Sequence, residues 1–354
     1  MSRKYLITTG GSGGHVIPAV ILYEHLSKNA NVIITTDKRG LKYLNNENYQ
    51  LRIINTPKLN NIFLFPINLI LVIILTIKSI LLLKKNNIEK LFSTGGYMSF
   101  PLLLAAKFLR LKIYLLEPNQ VLGRANKFFL GSCEKIICYT KKIKNFPENY
   151  ISKIETIFPL VREKFYSFKQ KNLNHQKINL LIVGGSQGAN IFDINLKNKI
   201  VNIAKKNSIR IVQQTNEKNI SNLKNFYDKH NIECLIFSFN ENFEEIINNS
   251  DICITRAGAS TLAELSLLSI PFIAVPLPHS KDNHQFENAS FYKEKECCWI
   301  LNQELFEDKI EQLLSNILSD NSEFLKKKEN LKKLNYKNTW INVNQKILNI
   351  INEN

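Results

Sequence analysis

The 354-residue sequence predicts an α/β protein of two Rossmann-like domains, each a parallel sheet covered by helices. Two observations carry that expectation. Short apolar runs alternate with helical stretches along most of the chain, and a glycine-rich turn follows the first apolar run of each half. Gly10-Gly11-Ser12-Gly13-Gly14 comes after Tyr5-Leu6-Ile7, and Gly184-Gly185-Ser186-Gln187-Gly188 comes after Leu180-Leu181-Ile182-Val183. Such a turn leaves backbone N–H groups open at a helix N-terminus, where phosphate and other anions are favoured. Two of them at equivalent places predict two similar domains facing one substrate pair across a cleft.

The elements follow in order. Strands are expected at Tyr5–Thr8, Val32–Thr35, Arg52–Asn55, Lys90–Ser93, Ile113–Leu116 and Ile136–Cys138 in the first half. The second half repeats the scheme at Asn179–Val183, Ile209–Gln213, Cys234–Phe237, Ile252–Thr255 and Phe272–Val275, and the tail Glu323–Asn354 reads as helical. Domains are therefore expected over 1–160 and 161–335, with 336–354 a helix packing back on the first.

Ile67–Leu83 breaks the alternation, being almost continuously apolar. A membrane-spanning helix needs about 20 apolar residues. A span here would put the first strand–turn–helix unit and its later sheet partners on opposite sides of a bilayer. The segment is therefore expected to be a helix buried on its sheet side and apolar on its outer side, seated on a membrane surface with Lys78, Lys84 and Lys85 near the headgroups.

The chain carries 47 basic against 30 acidic residues, a formal charge of +17. Such a field favours phosphates and anionic membrane surfaces. Lysine, asparagine and isoleucine are enriched throughout, and no nucleic-acid-binding motif is present, so no nucleic-acid partner is expected. The six cysteines lack zinc-ligand spacing and are expected to be reduced thiols, mostly buried. Met1-Ser2-Arg3-Lys4 leads straight into an expected strand, so no secretory signal peptide is expected there.

Several turns carry polar groups suited to chemistry. His15 begins the helix after the first glycine turn, where an imidazole can serve as general base. Thr94-Gly95-Gly96-Tyr97 and Glu117-Pro118-Asn119 end strands of the same half, and ligands of open α/β sheets sit at such carboxyl ends. In the second half, Arg256-Ala257-Gly258-Ala259-Ser260-Thr261-Leu262-Ala263-Glu264 follows a strand. There Ser260 and Thr261 are expected to cap a helix and bind phosphate, and Glu264 to accept hydrogen bonds from ribose hydroxyls. Asp282-Asn283-His284-Gln285 suits the reading of sugar hydroxyls. Both glycine turns also fit the G-x-S-x-G nucleophile elbow, with His279 or His284 available to a hydrolase. Neither is a G-x-G-x-x-G or Walker A motif.

These motifs, in this order from about residue 4 to 290, resemble the bacterial N-acetylglucosaminyltransferases of peptidoglycan synthesis, a GT-B family. The resemblance implies transfer of GlcNAc from UDP-GlcNAc to the MurNAc C4 hydroxyl of undecaprenyl-pyrophosphoryl-MurNAc-pentapeptide (lipid I), with inversion, at the cytoplasmic face of the membrane. Carried over position by position, it implies substrate contacts at Ser12, Gly13, Gly14, Asn119, Arg162, Ser186, Ala259, Ser260, Thr261, Leu262, Ala263, Glu264 and Gln285. His15 is the candidate base and Glu117 a second catalytic candidate, while Tyr97, Asn126 and Arg256 are candidates on the acceptor side. No Asp-x-Asp pair is present, so no metal or other cofactor is expected. The chain departs from the family with Leu116-Glu117-Pro118-Asn119 in place of His-Glu-Gln-Asn, with Phe-Pro-Leu-Val before Arg162, and with Ser12 in place of a common Thr. Alternatives are another GT-B sugar-nucleotide enzyme such as a glycolipid transferase or epimerase, an α/β-hydrolase using Ser186, and a non-catalytic membrane-bound sugar-nucleotide-binding protein.

Overall fold

The computed structural model describes residues 3–44, 49–57, 63–168, 177–185, 190–240 and 242–352. The chain divides into two compact units, one of Met1–Leu160 with Trp340–Asn354 and the other of Val161–Thr339.

Unit 1 holds a seven-stranded sheet of β1 (Lys4–Thr8), β2 (Asn31–Thr36), β3 (Gln50–Ile53), β4 (Lys90–Ser93), β5 (Lys112–Glu117), β6 (Lys135–Cys138) and β7 (Ile154–Thr156). Its order is β3-β2-β1-β4-β5-β6-β7, and every pair is parallel. The central strands are apolar runs because helices cover both faces: Leu6, Ile7, Leu91, Ile113 and Leu115 are buried. The order reverses between β1 and β4, opening a crevice at their carboxyl ends. The turns after these strands are the glycine turns at Gly10 and Gly95.

Unit 2 repeats the plan with β8 (Ile178–Val183), β9 (Ile209–Gln214), β10 (Cys234–Phe237), β11 (Ile252–Thr255), β12 (Phe272–Ala274) and β13 (Cys298–Ile300). The order is β10-β9-β8-β11-β12-β13, again all parallel. Its switch point lies between β8 and β11, beside Gly184 and Arg256. Strands β7 and β13, of three residues each, lie outside the set the sequence predicts; β12 is as short but continues into the buried apolar Val275.

The tail forms two helices, Asn321–Leu334 in unit 2 and Trp340–Asn352 in unit 1. Trp340, Val343, Ile347, Ile350 and Ile351 recur at helical spacing and are buried. Trp340 stacks on His25 at 3.7 Å between ring centroids, and Arg3 donates to Asn352 at 2.7 Å. The six cysteines are all free thiols; Cys234 is half-buried and the other five are buried.

The apolar segment is a helix over Phe65–Lys85, but its buried surface is narrower than expected. Only Val72, Ser79 and Leu83 are buried, because the helix lies along the helix Phe100–Phe108 rather than flat on the sheet. Ile67, Ile70, Ile73, Ile77 and Leu81 are all more than half exposed. Thr76 and Ser79 donate back to the carbonyls of Val72 and Leu75, so these hydroxyls need no outside partner.

Candidate active site

In unit 1 the first glycine turn opens the helix Gly13–Leu26. Ser12 is its N-cap in extended conformation, yet makes no side-chain cap bond. Gly11 adopts φ +85°, which a side chain would strain. The His15 ring reaches the next turn: Nδ1 lies 2.7 Å from the Thr94 carbonyl oxygen. A carbonyl only accepts, so Nδ1 carries the hydrogen, and in neutral imidazole Nε2 is then the basic nitrogen. Nε2 lies over Gly96, 3.7 Å from where a Cβ there would stand. Gly95 and Gly96 have φ of +84° and +81°, an arrangement that brings the backbone close beneath the imidazole.

Glu117, at the end of β5, is 2% exposed and accepts four hydrogen bonds. They come from Asn119 N at 3.2 Å, Asn119 Nδ2 at 3.1 Å, Gly123 N at 2.8 Å and Asn126 Nδ2 at 3.0 Å. Burial pushes its pKa up, and these donors only partly offset the rise. The carboxylate thus organises the 117–126 loop. Asn126 also donates to the Leu116 carbonyl, leaving its Oδ1 buried without a partner beside Gly95.

In unit 2, Ser186 lies outside the described residues. Gly185 before it has φ +74°. The helix Ala259–Leu267 is capped by Gly258 with no side-chain cap bond. This corrects the expectation that Ser260 and Thr261 cap it: both lie inside the first turn, past the position from which a hydroxyl reaches the open N–H groups. Ala259, Ser260 and Thr261 are partly exposed, while Leu262 and Ala263 turn into the core.

Arg162 meets Glu264 through an Nη2–Oε1 ion pair of 3.0 Å, although 102 residues separate them. Glu264 is 5% exposed; burial raises its pKa, with Arg162 pulling it back down. Gln285 Oε1 accepts from Ala257 N at 3.2 Å and Leu277 N at 2.9 Å, which joins two strand-end loops and fixes which amide atom is oxygen. His279, Asp282 and Asn283 all have φ near +55°, so this loop holds three non-glycine residues in left-handed conformation.

Arg256 is an acceptor-side candidate from the sequence. It belongs to unit 2, is 8% exposed, and donates to the carbonyls of Val275 and Pro276 and to Gln303 Oε1. Its guanidinium stitches strand ends together because only a side chain with several donors satisfies so many buried acceptors at once. Among the described residues no group of three His, Cys, Asp or Glu side chains is placed to hold a metal ion.

Two doubly wound units in one chain, each with a glycine turn at its switch point and polar loops beside it, define the class: a two-domain α/β glycosyltransferase fold. The chain belongs to glycosyltransferase family 28, whose N-terminal domain matches residues 5–138 and whose C-terminal domain matches residues 179–340. A curated relative from Pelagibacter ubique is 50% identical over all of both chains. It is named UDP-N-acetylglucosamine–N-acetylmuramyl-(pentapeptide) pyrophosphoryl-undecaprenol N-acetylglucosamine transferase. A relative of the same name from Rickettsia felis is 36% identical over 92% of this chain and 95% of its own. The crystal structure of Acinetobacter baumannii MurG matches with a TM-score of 0.79 over the whole of both chains, at 20% identity, a likeness of fold. Family membership displaces the hydrolase reading of the glycine turns.

Proposed function

We propose that this protein transfers GlcNAc from UDP-GlcNAc to the C4 hydroxyl of the MurNAc residue of lipid I, forming lipid II and UDP. The observation that carries the reading is the 50% identity, end to end, with a relative named for that transfer. Unit 2 takes the donor and unit 1 the acceptor. The first-turn amides of the helix Ala259–Leu267, whose start no side chain closes, suit the diphosphate, and so does the glycine turn at Gly184–Gly185. Glu264, with Arg162 beside it, suits the ribose hydroxyls, and the Gln285 amide suits the sugar.

The transfer is a single displacement with inversion. The acceptor oxygen attacks the anomeric carbon, its proton passes to His15 Nε2, and the bond to the UDP oxygen breaks. The Thr94 carbonyl favours this course twice, by fixing the tautomer and by stabilising the imidazolium that forms. Charge developing on the leaving diphosphate is met by backbone N–H groups, and no metal or cofactor is called for.

Unit 1 further suits a peripheral seat on an anionic membrane surface. Strands β3 and β4 flank the apolar helix and lie in one sheet, so the helix returns the chain to the same side rather than crossing. Its exposed isoleucines and leucines offer an apolar face, and Arg3, Lys90, Arg110 and Lys112 line a basic pocket at the opposite edge of the sheet from the glycine turns.

The direct test is incorporation of radiolabelled GlcNAc from UDP-GlcNAc into a lipid-soluble product with a lipid I analogue as acceptor. Label that appears only as free GlcNAc, or not at all, overturns the reading.

A further inference from the structure

Beside the first glycine turn lie two polar residues, Asp37 and Arg39, to which neither the motifs nor the mechanism gives a part. Asp37 directly follows β2 and is 3% exposed. Its Oδ1 accepts from Gly11 N at 2.8 Å and Gly40 N at 3.0 Å, and its Oδ2 from Arg39 Nε at 2.8 Å. Burial opposes the charge, but the Gly11 amide, the guanidinium and the Gly40 amide outweigh it and hold the carboxyl below its ordinary range. A Cβ on Gly10 would stand 2.8 Å from Oδ1, so the carboxylate is packed directly against the turn.

Arg39 extends the contacts of Asp37. Its Nη2 donates to the Tyr97 hydroxyl oxygen, and its guanidinium lies 5.4 Å from the centre of the Tyr97 ring. The turn after β1 and the turn after β4 are thus joined twice, once by His15 on Thr94 and once through Asp37, Arg39 and Tyr97. A phenol oxygen that accepts from a guanidinium keeps its own proton to donate elsewhere, and the added positive charge makes it a better donor.

We propose that Asp37 and Arg39 are positioning residues of the acceptor edge, which hold Tyr97 so that its hydroxyl donates to the acceptor substrate. This rests on the reading of unit 1 as the acceptor unit. A brace of purely structural value, half-exposed as Arg39 is, would contribute little to stability and nothing to substrate preference.

Steady-state kinetics with UDP-GlcNAc and a lipid I analogue on Arg39→Ala, Arg39→Lys, Tyr97→Phe and the Arg39→Ala/Tyr97→Phe double variant test it. Expected is a roughly 10- to 100-fold loss of kcat/KM for the acceptor in Arg39→Ala, with the donor KM unchanged. Partial recovery is expected in Arg39→Lys, and a double variant no worse than Tyr97→Phe alone. Losses that multiply, or an unaltered acceptor KM and kcat, overturn the proposal. A donor KM that rises instead counts against the acceptor assignment of unit 1. Independently of turnover, 3-fluorotyrosine at position 97 should show a 19F shift on addition of the acceptor analogue that Arg39→Ala abolishes; a signal the acceptor does not move overturns the proposal even where transfer is intact.

Discussion

His15 Nδ1 lies 2.7 Å from the carbonyl oxygen of Thr94, across 79 residues of sequence, and this single contact decides which ring nitrogen is basic. Removing the ring should therefore act on the chemical step and not on the donor. In His15→Ala, kcat is expected to fall by roughly 10²- to 10⁴-fold while UDP affinity, read by calorimetry, stays within about twofold. Unchanged turnover would remove His15 as the base.

Glu117 accepts only N–H donors, so Glu117→Gln must turn an amide NH2 toward at least one of them. A loss of about 1.5–3 kcal/mol in urea unfolding is expected, comparable to losing a hydrogen bond to a charged acceptor. Activity should fall together with stability. An isostable Gln variant would show that the carboxylate is not the organiser of its loop.

Arg162 and Glu264 act as a pair, so their effects should not add. Arg162→Met leaves Glu264 buried without its partner, and Glu264→Gln removes the charge Arg162 serves. Each alone is expected to raise the UDP-GlcNAc KM. The double variant should resemble the worse single variant, with a coupling energy of about 0.5–3 kcal/mol in a double-mutant cycle.

His25 is buried against Trp340 with its Nε2 unpartnered, and burial depresses its pKa from 6.5 to about 4. The unfolded chain then binds a proton between those values that the folded chain refuses. Stability is complete above pH 6.5 and falls as pH drops toward 4, by up to about 3 kcal/mol. His25→Gln should flatten that slope in chemical denaturation at a series of pH values; a slope that persists assigns the acid sensitivity elsewhere.

The helix Phe65–Lys85 exposes its isoleucines, so replacing Ile70, Ile73 and Ile77 together by Gln should leave thermal stability nearly unchanged. Co-sedimentation with vesicles containing anionic lipid should drop severalfold. Equal sedimentation by the triple variant would direct attention to the basic pocket at Arg3 and Lys112.

Much of the fold was legible because its signals are local. An apolar run such as Leu180–Val183 needs burial on both faces, and a glycine turn after it needs φ values that other residues resist. The same holds for the apolar helix, whose existence the sequence declares but whose covering it does not. The roles of single polar residues are less legible for a different reason. Glu117, Arg256 and Ser260 have the right chemistry at the right end of a strand, and only their neighbours decide whether that chemistry faces a ligand or the protein's own backbone. Asp37 and Arg39 carried no motif at all.

By itself the sequence determined two parallel sheets, their glycine turns, the positive charge and the strand ends at which each unit gathers its polar loops, since all of these follow from composition, periodicity and backbone conformation over a few residues. Tertiary structure alone decided the His15 tautomer, the partners of Glu117 and Arg162 and the brace from Gly11 to Tyr97. Those depend on hydrogen bonds and packing between residues far apart in the chain, whose meeting is a property of the folded core and of no local pattern.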